Sequence, residues 1–452
     1  MPRILPLLSC CAALLITASA QTPAPPLGRS DPSFKQPSLA PGVDYVVPSE
    51  AQIKATLDRI RDYFVRSTEY RVVDTATGQP IADFSHPLKT AAIDMRHGQF
   101  NDWDYPMGVV LAAMLLDSDV TGDPSYRDYA LKNFDFLFDR LDYFRQQQQE
   151  FGTQTGSLSR MMQFHQLDDC GSIGAALVKA YSQKPDPRYR ATIDRVADFI
   201  SHKQFRMPDG TLARPRPQPV SLWADDLYMS VPFLAQMGHL TKDRAYYDDA
   251  ARQVIQYADR LLDKTTGLYD HSWYQNTPYD VRFFWGRAGG WAIMAAAELL
   301  SVLPEDHPDR AKVLDVFCRS AQGIAAAQSG NGMWRQLVNR DDSYQESSAT
   351  AMFTFAIARG VNRGWLPVTY APVAQAGWQA LASRVHPDGR IEGICVSTTA
   401  AYDAVYYYNR PTELGAMQGY GPALMAGAEV ITMLRSFNID HSLNTFHYRV
   451  KQ

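Results

Sequence analysis

The chain of 452 residues contains only five cysteines. Cys10 and Cys11 fall in an apolar stretch at the N-terminus, which leaves Cys170, Cys318 and Cys395 in the rest of the chain. An odd and sparse set of this kind cannot form a disulfide framework, and it lacks the paired spacing of a metal site. The sequence therefore predicts no disulfide scaffold, no metal centre and no cofactor.

An excess of charge is also missing, because the formal net charge is −4. A nearly balanced chain gives no electrostatic reason to expect a polyanion or an anionic membrane as partner. No segment of the sequence is apolar over the roughly 20 residues that a membrane-spanning helix requires. We therefore expect no nucleic-acid partner, no membrane span and a monomeric protein.

Residues 1–20 have the three parts of a secretory signal peptide, namely a basic residue, a short apolar stretch and the small residues Ala18–Ala20. Residues 21–48 are rich in proline, serine and glycine, which is typical of a disordered leader. We expect cleavage after Ala20, a single folded domain over residues 49–452, and a bacterial protein that is secreted or periplasmic.

Two kinds of helical segment alternate along the rest of the chain. Polar starts such as Asp123-Pro-Ser-Tyr126 and Asp186-Pro-Arg-Tyr189 introduce amphipathic segments, and they recur at intervals of roughly 60 residues. Between them lie segments rich in glycine and alanine that are apolar on nearly every face, as buried helices are. Six outer and six inner helices predict an all-α fold, an (α/α)6 barrel of six helical hairpins, with little sheet. The inner segments begin near Tyr105, Cys170, Tyr228, Gly289, Ser348 and Gly419.

The segment from Trp223 to Gly238 carries two adjacent carboxylates at the start of an apolar helical run. Asp225 and Asp226 fit a helix N-terminus, where acidic side chains cap free amide groups. The aromatic and apolar neighbours would raise the pKa of a carboxyl group held among them. Since a carboxyl with a raised pKa can act as a general acid near neutral pH, the segment is predicted to be either a helix cap or the centre of a site.

Charged and aromatic residues precede each inner segment. If the inner helices run parallel, these residues surround one mouth of the barrel. Aromatic rings stack on sugar faces, and arginine binds a carboxylate through two hydrogen bonds. The pattern therefore predicts a carbohydrate site at that mouth. Its candidate residues are Trp103, Asp104, His165, Asp168, Asp169, Trp223, Asp225, Asp226, Trp285, Arg287, Tyr344, Glu346, Tyr408, Asn409 and Arg410.

Several motifs between about residue 100 and the last helix stand in a recognisable order. Among them are Trp223-Ala-Asp-Asp-Leu-Tyr-Met229, Gly267-Leu-Tyr-Asp-His-Ser-Trp273, Phe284-Trp-Gly-Arg-Ala-Gly-Gly-Trp291, Ser343-Tyr-Gln-Glu-Ser-Ser-Ala349 and Gly419-Tyr-Gly-Pro422. This set resembles the unsaturated rhamnogalacturonyl hydrolases of glycoside hydrolase family 105, which are related to the unsaturated glucuronyl hydrolases of family 88. The resemblance implies an (α/α)6 barrel, in agreement with the repeat.

The resemblance also implies a substrate and a reaction. A 4,5-unsaturated uronic acid is removed from the non-reducing end of a small oligosaccharide, such as a lyase product of rhamnogalacturonan or pectin. The chemistry is hydration of a vinyl ether: a carboxylic acid protonates C4, water adds at C5, and the hemiketal opens and releases the aglycone. Positive charge develops near C5 and the ring oxygen, where a second carboxylate would help.

Residue roles follow from the matched motifs. Asp225, two positions after the motif tryptophan, is implied as the general acid and base, and Asp226 is then a helix cap, or the acid itself if the register is shifted by one. The second carboxylate is Asp168 or Asp169, and the Asp-x-Gly spacing favours Asp169. Trp291 fits the core better than a substrate contact. The implied substrate-binding set is His271, Trp285, Arg287, Trp223, Trp103, His165, Tyr228 and Trp291.

One turn departs from the family pattern. Family members often carry a polar turn with a histidine before the last motif, whereas this chain has Glu413-Leu-Gly-Ala-Met-Gln418, so the aglycone stays unidentified. Two other functions also stay open. One is an inverting glycosidase or a lyase on the same barrel that acts on saturated uronides, and the other is an inactive secreted sugar-binding protein.

Overall fold

The computed structural model describes residues 46–451, except for residue 99 and residues 153–155, 217–219, 278–281 and 443–444. The predicted signal peptide and nearly all of the predicted leader therefore lie outside the described residues. No helix within the described ranges is both long and apolar enough to cross a membrane.

Twelve of the described helices form two concentric layers. The outer helices are α1 Glu50–Ser67, α3 Pro124–Phe151, α6 Pro187–Asp198, α9 Arg244–Leu261, α11 Arg310–Ala326 and α13 Ala371–Ala382. The inner helices are α2 Tyr105–Thr121, α5 Gly171–Gln183, α8 Val231–Thr241, α10 Gly286–Leu300, α12 Ser347–Asn362 and α15 Tyr420–Ser436. Three short helices, α4 Ser159–Met162, α7 Asp225–Tyr228 and α14 Ala404–Tyr408, lie in the connections.

The inner helices close into a ring. Each packs against the next in the order α2, α5, α8, α10, α12 and α15, and α15 packs back against α2. Each outer helix packs on an inner helix, so every outer apolar stripe is covered from inside. The predicted (α/α)6 barrel of six helical hairpins is confirmed.

Aspartate caps set where the outer helices begin. Asp123 accepts a hydrogen bond from the backbone N–H of Ser125 at the start of α3, and Asp186 accepts one from Arg188 at the start of α6. A proline follows each of these caps, at a position where its missing N–H costs nothing. The Asp-Pro starts read from the sequence therefore act as helix N-termini.

Glycines allow the inner helices to approach closely. A Cβ atom on Gly108 of α2 would lie 2.3 Å from the backbone nitrogen of Ile173 in α5. A Cβ atom on Gly421 of α15 would lie 2.6 Å from Cγ1 of Val109 in α2. Real Cβ atoms do not sit so close to other heavy atoms, so the closure of the ring depends on the absence of side chains here.

A buried ion network joins the inner helices near their carboxyl ends. Glu298 of α10 pairs with Lys179 of α5 and with Arg359 of α12, and Arg359 also pairs with Glu429 of α15 at 2.7 Å. Glu298, Arg359 and Glu429 are all buried. These ion pairs neutralise buried charges at the end of the barrel opposite the amino ends of the inner helices.

The described strands form short two-stranded antiparallel sheets, so sheet content is minor, as predicted. They are β1 Val72–Asp74 with β2 Ala91–Ile93, β3 Ser221–Trp223 with β4 Ser272–Tyr274, β5 Ile394–Cys395 with β6 Thr412–Glu413, and β7 Phe437–Ser442 with β8 Thr445–Val450.

A C-terminal hairpin of β7 and β8 follows the last barrel helix, which ends at Ser436. The predicted domain of residues 49–452 includes this hairpin, but no strands were predicted there. The alternation of Phe446, Tyr448 and Val450 is a strand signal that helical periodicity masked. The β7 strand packs on α15.

The close helix approach predicts a stability difference between two glycine substitutions. Gly108→Ala should lower the free energy of unfolding by about 1–3 kcal/mol, because the new methyl group overpacks the α2–α5 contact. Gly330→Ala is the matched control, since its Cβ would meet no heavy atom within 4 Å. Urea unfolding followed by circular dichroism measures both variants. Equal stability of the two would contradict this account of ring closure.

Candidate active site

A cavity of about 390 Å³ opens over the amino ends of the inner helices. Its lining combines two carboxylates, one guanidinium, three aromatic rings and three hydroxyl side chains. The lining residues are Tyr105, Asp168, Arg214, Trp223, Asp225, Met229, Ser397, Thr398, Thr399 and Tyr406. Two carboxylates on one partly enclosed cavity can divide acid and base roles between them.

The β3–β4 sheet brings Asp225 and His271 together. Trp223 of β3 lies opposite Ser272 of β4, and the backbone N–H of Ala224 donates to the carbonyl of His271 at 2.9 Å. The chain then enters α7, whose first residue is Asp225. Nε2 of His271 lies 3.3 Å from Oδ2 of Asp225, and neither buried atom has a hydrogen-bond partner in the described part of the chain.

The adjacent carboxylates Asp225 and Asp226 face different surroundings. Asp226 is 1% exposed, and both of its oxygens accept hydrogen bonds from Arg214, at 2.6 and 2.9 Å. Asp225 instead lines the cavity. Asp226 is therefore held in a structural ion pair, and Asp225 is the member of the pair that a ligand can reach.

The sequence-based expectation that Asp225 has a raised pKa is wrong. Burial acts to raise the pKa of Asp225, but the His271 ring outweighs it together with the Arg214 and Arg287 guanidinium groups, and the net pKa is lowered. These three side chains come from other segments of the chain, so their proximity could not be read from residues 223–238. Asp225 is therefore ionised in the unliganded site at neutral pH.

Asp168 shows the opposite behaviour. Burial raises the pKa of Asp168 to about 6. The Arg214 guanidinium, whose Nη2 lies 3.3 Å from Oδ2 of Asp168, acts in the opposite direction. The carboxylates that add to the rise belong to Asp226, Asp225 and Asp169. The two cavity carboxyls therefore ionise at different pH.

Asp169, which the Asp-x-Gly spacing favours, is turned toward the backbone. One of its oxygens accepts hydrogen bonds from the N–H groups of His165 and Gln166, at 2.8 and 3.1 Å, and the other lies 3.7 Å from Nε of Arg160. Asp169 is buried and does not line the cavity. The geometry therefore supports Asp168 rather than Asp169 as the partner of Asp225.

Arg214 is a cavity residue that sequence reasoning missed. Backbone hydrogen bonds with Ser221 hold it beside β3, and its guanidinium carbon lies 4.2 Å from the centre of the Trp223 ring. No motif marks it in the sequence. The available signal was indirect, since a carboxylate pair such as Asp225-Asp226 in an apolar helix start requires a cation from elsewhere.

Arg287 is 2% exposed and is bound by the protein itself. Its Nη1 and Nη2 donate to the backbone carbonyls of Cys395 and Val396, each at 2.7 Å, and it lies 4.6 Å from the centre of the Trp285 ring. These contacts hold the start of the segment that reaches the cavity through Ser397. The predicted contacts of Arg287 and Trp285 with a substrate uronate therefore find no support in this geometry.

The remaining predicted binding residues support the cavity from behind or lie outside it. Trp103 is buried, and its Nε1 donates to the carbonyl of Asp169 at 2.7 Å. Tyr228 and Trp291 are buried and pack together at 4.9 Å between ring centres, in line with the core role expected for Trp291. His165 is exposed and does not line the cavity. Of the predicted set, Trp223 lines the cavity and His271 contacts Asp225.

Residues 397–399 and Tyr406 were also missed by sequence reasoning. Ser397, Thr398 and Thr399 line the cavity from the connection before α14. Arg410 fixes this connection by donating to the carbonyl of Ser397 and to Oγ1 of Thr398. A run of small hydroxyl residues in a loop carries no signal until the fold brings it to the mouth.

A family model described as Glycosyl Hydrolase Family 88 matches residues 85–434 of the chain. The chain belongs to this family. It is a glycoside hydrolase, and the resemblance drawn from its motifs is confirmed. Among the described residues of this hydrolase, no group of three or more His, Cys, Asp and Glu side chains is placed to hold a metal ion.

Individual relatives support the same assignment. The hydrolase is 28% identical to the unsaturated rhamnogalacturonyl hydrolase YesR of Bacillus subtilis over 259 residues, which cover 56% of this chain and 73% of that protein. It is 30% identical to an unsaturated 3S-rhamnoglycuronyl hydrolase of Formosa agariphila over 225 residues, 47% of this chain and 58% of that protein. A solved structure from Salmonella enterica, described as a possible GH105 member, has a TM-score of 0.67 to this chain at 21% identity. The match covers 89% of this chain and 98% of that chain, and it supports the fold.

The unequal ionisation of the two cavity carboxyls is directly measurable in this hydrolase. In protein labelled with ¹³C at the aspartate carboxyls, a resonance that belongs to Asp168 should titrate near pH 6, because burial raises the pKa of Asp168, and it should be separate from that of Asp270, whose pKa burial raises to about 7. It should be absent in Asp168→Asn and present in the matched variant Asp169→Asn. If that resonance disappears in Asp169→Asn instead, the raised pKa belongs to Asp169 and its assignment to Asp168 is wrong.

Proposed function

We propose that this glycoside hydrolase removes a 4,5-unsaturated uronic acid from the non-reducing end of small oligosaccharides released by polysaccharide lyases. The observation that carries the proposal is that Asp168 and Asp225 line the same cavity, where one carboxyl can transfer a proton and the other can stabilise positive charge. The names of the two relatives, an unsaturated rhamnogalacturonyl hydrolase and an unsaturated 3S-rhamnoglycuronyl hydrolase, support the same substrate class.

The reaction needs one group that moves a proton and one that stabilises positive charge. Asp225 takes up a proton from solvent when substrate binds, because the negative charge of a bound uronate and the loss of water from the cavity both raise the pKa of a neighbouring carboxyl, and it then delivers that proton to C4. Asp168, which is a carboxylate above about pH 6, stabilises the charge that develops at C5 and the ring oxygen. Asp225 then accepts a proton from the water that adds at C5.

A cation and several hydroxyl groups are available to receive the uronate. Arg214 is the guanidinium that lines the cavity, and Ser397, Thr398 and Thr399 line the same cavity. Trp223 offers a ring beside Arg214 on which a sugar face can stack. The Nη1 and Nη2 atoms of Arg287 are bound to backbone carbonyls. Arg287 therefore acts on the substrate carboxylate through its positive charge and through the backbone segment that it holds in place.

A panel of lyase-generated disaccharides tests the function. The enzyme should abolish the ultraviolet absorbance of the conjugated double bond in at least one unsaturated disaccharide, and it should leave the saturated counterpart intact. Varying the aglycone across the panel identifies the preferred leaving sugar. Cleavage of the saturated counterpart at a similar rate would instead support an ordinary glycosidase on the same barrel.

Asp225→Asn separates proton transfer from binding. The amide keeps the size of the carboxyl but has no transferable proton, so turnover should drop by roughly two to four orders of magnitude, while substrate binding largely survives. Turnover is followed by the same loss of absorbance, and binding by calorimetry with the inactive variant. Asp226→Asn is the matched variant from the neighbouring position. Near-normal turnover in Asp225→Asn together with loss in Asp226→Asn would shift the assignment by one residue.

A further inference from the structure

His271 is fixed between two groups. The ring is 0% exposed, with Nδ1 lying 2.7 Å from the hydroxyl oxygen of Tyr407 and Nε2 lying 3.3 Å from Oδ2 of Asp225. Tyr407 belongs to α14 and is far from Asp225 in the sequence. A neutral histidine carries one N–H, so the group on Nδ1 decides whether Nε2 offers a proton or a lone pair to Asp225.

The contacts of the Tyr407 hydroxyl determine which atom its proton points toward. Its oxygen accepts a hydrogen bond from the backbone N–H of Ala401 at 3.1 Å, and the side chain is 0% exposed. Among the described residues, the acceptor in reach of the hydroxyl proton is Nδ1 of His271. If Nδ1 carried the proton instead, the Tyr407 hydroxyl would be a buried donor without a partner, which costs about 1–3 kcal/mol.

We propose that Tyr407 is a positioning residue that holds His271 as the neutral tautomer protonated on Nε2 and so directs an N–H at Asp225. The chain of donors runs from the Ala401 N–H to the Tyr407 hydroxyl and then to Nδ1 of His271, whose Nε2 lies 3.3 Å from Oδ2 of Asp225. This inference rests on the proposed role of Asp225, but it concerns a residue that touches neither the cavity nor the substrate.

The chain of donors also explains why Asp225 keeps one oxygen for chemistry. Oδ2 of Asp225 is buried against the imidazole, which leaves Oδ1 to face the cavity. Since Ala401 follows the hydroxyl segment 397–399, the same segment that lines the cavity also fixes the Tyr407 hydroxyl. Tyr407 is held in turn by stacking on Phe283, with ring centres 5.0 Å apart.

The tautomer can be measured in the unaltered enzyme. In protein labelled with ¹⁵N in histidine, at about pH 8, where an ordinary histidine is neutral, His271 should show a protonated Nε2 and an unprotonated Nδ1. His271→Gln assigns the signals by their loss. A protonated Nδ1, alone or together with Nε2, would overturn the proposal, and this result does not depend on any variant of Tyr407.

Tyr407→Phe tests whether the Tyr407 hydroxyl contributes to turnover by fixing the tautomer of His271. Loss of the hydroxyl frees the imidazole to exchange tautomers, so kcat should fall by roughly 10- to 100-fold, the usual effect of removing a partner that orients a histidine. KM should change by less than about threefold, because the side chain does not line the cavity. The His271 nitrogen signals should change to those of a tautomer mixture.

Tyr126→Phe is the matched control. Tyr126 is also 0% exposed, and its hydroxyl donates to Asp58 at 2.8 Å on the outer layer of the barrel. Tyr407→Phe loses two hydroxyl hydrogen bonds and Tyr126→Phe loses one to a carboxylate, so losses of stability of similar order are expected. In Tyr126→Phe, kcat and the His271 signals should stay as in the wild type. An unchanged kcat or unchanged His271 signals in Tyr407→Phe would overturn the proposal.

The two proposals fail in different ways. If no unsaturated uronide is a substrate of the wild-type enzyme, the proposed function fails, while the tautomer of His271 is still decided by the nitrogen signals. If the wild type is active and Tyr407→Phe is equally active, the proposed function stands and the positioning role of Tyr407 is wrong.

Discussion

The close approach of the inner helices is the constraint on which the rest of the structure depends. Gly108, Gly171 and Gly421 lie so near neighbouring segments that a methyl group at any of them would meet another atom within 2.6 Å. Because the inner helices pack directly on one another in a closed ring, their amino ends meet at one mouth. Every residue placed just before an inner helix is thereby brought to that mouth, whatever its distance along the chain.

Several carboxylates at the mouth of the barrel share few cations, and this determines the chemistry of the mouth. Arg214 is bound to both oxygens of Asp226 through Nε and Nη2, and Nη2 also lies 3.3 Å from Oδ2 of Asp168, so these two nitrogens are engaged by the protein itself. Asp225 has His271 beside it instead. The result is one partly buried carboxyl, Asp168, that is a carboxylate only above about pH 6, and a second, Asp225, whose pKa is lowered. Two neighbouring carboxyls with different pKa values can take different roles in one reaction.

The barrel architecture could be predicted from the sequence because helical periodicity and helix caps depend on residues that lie close together in the chain. Asp123-Pro and Asp186-Pro starts and all-round apolar segments are read within one helix, and they predicted the barrel. Asp225 was found through its motif, but its lowered pKa was not, since the responsible side chains lie in other segments. Arg214 and the hydroxyl segment 397–399 carry no motif and become visible only when the fold assembles the mouth.

The central claim is that the reaction is hydration of a double bond and not displacement at the anomeric carbon. Turnover in water enriched in ¹⁸O tests it directly, when the products are reduced with borohydride at once, so that their carbonyl oxygens cannot exchange with water, and are then analysed by mass spectrometry. Hydration predicts the heavy oxygen on C5 of the released uronic acid and none on its anomeric carbon. Heavy oxygen on the anomeric carbon with none on C5 would contradict the account.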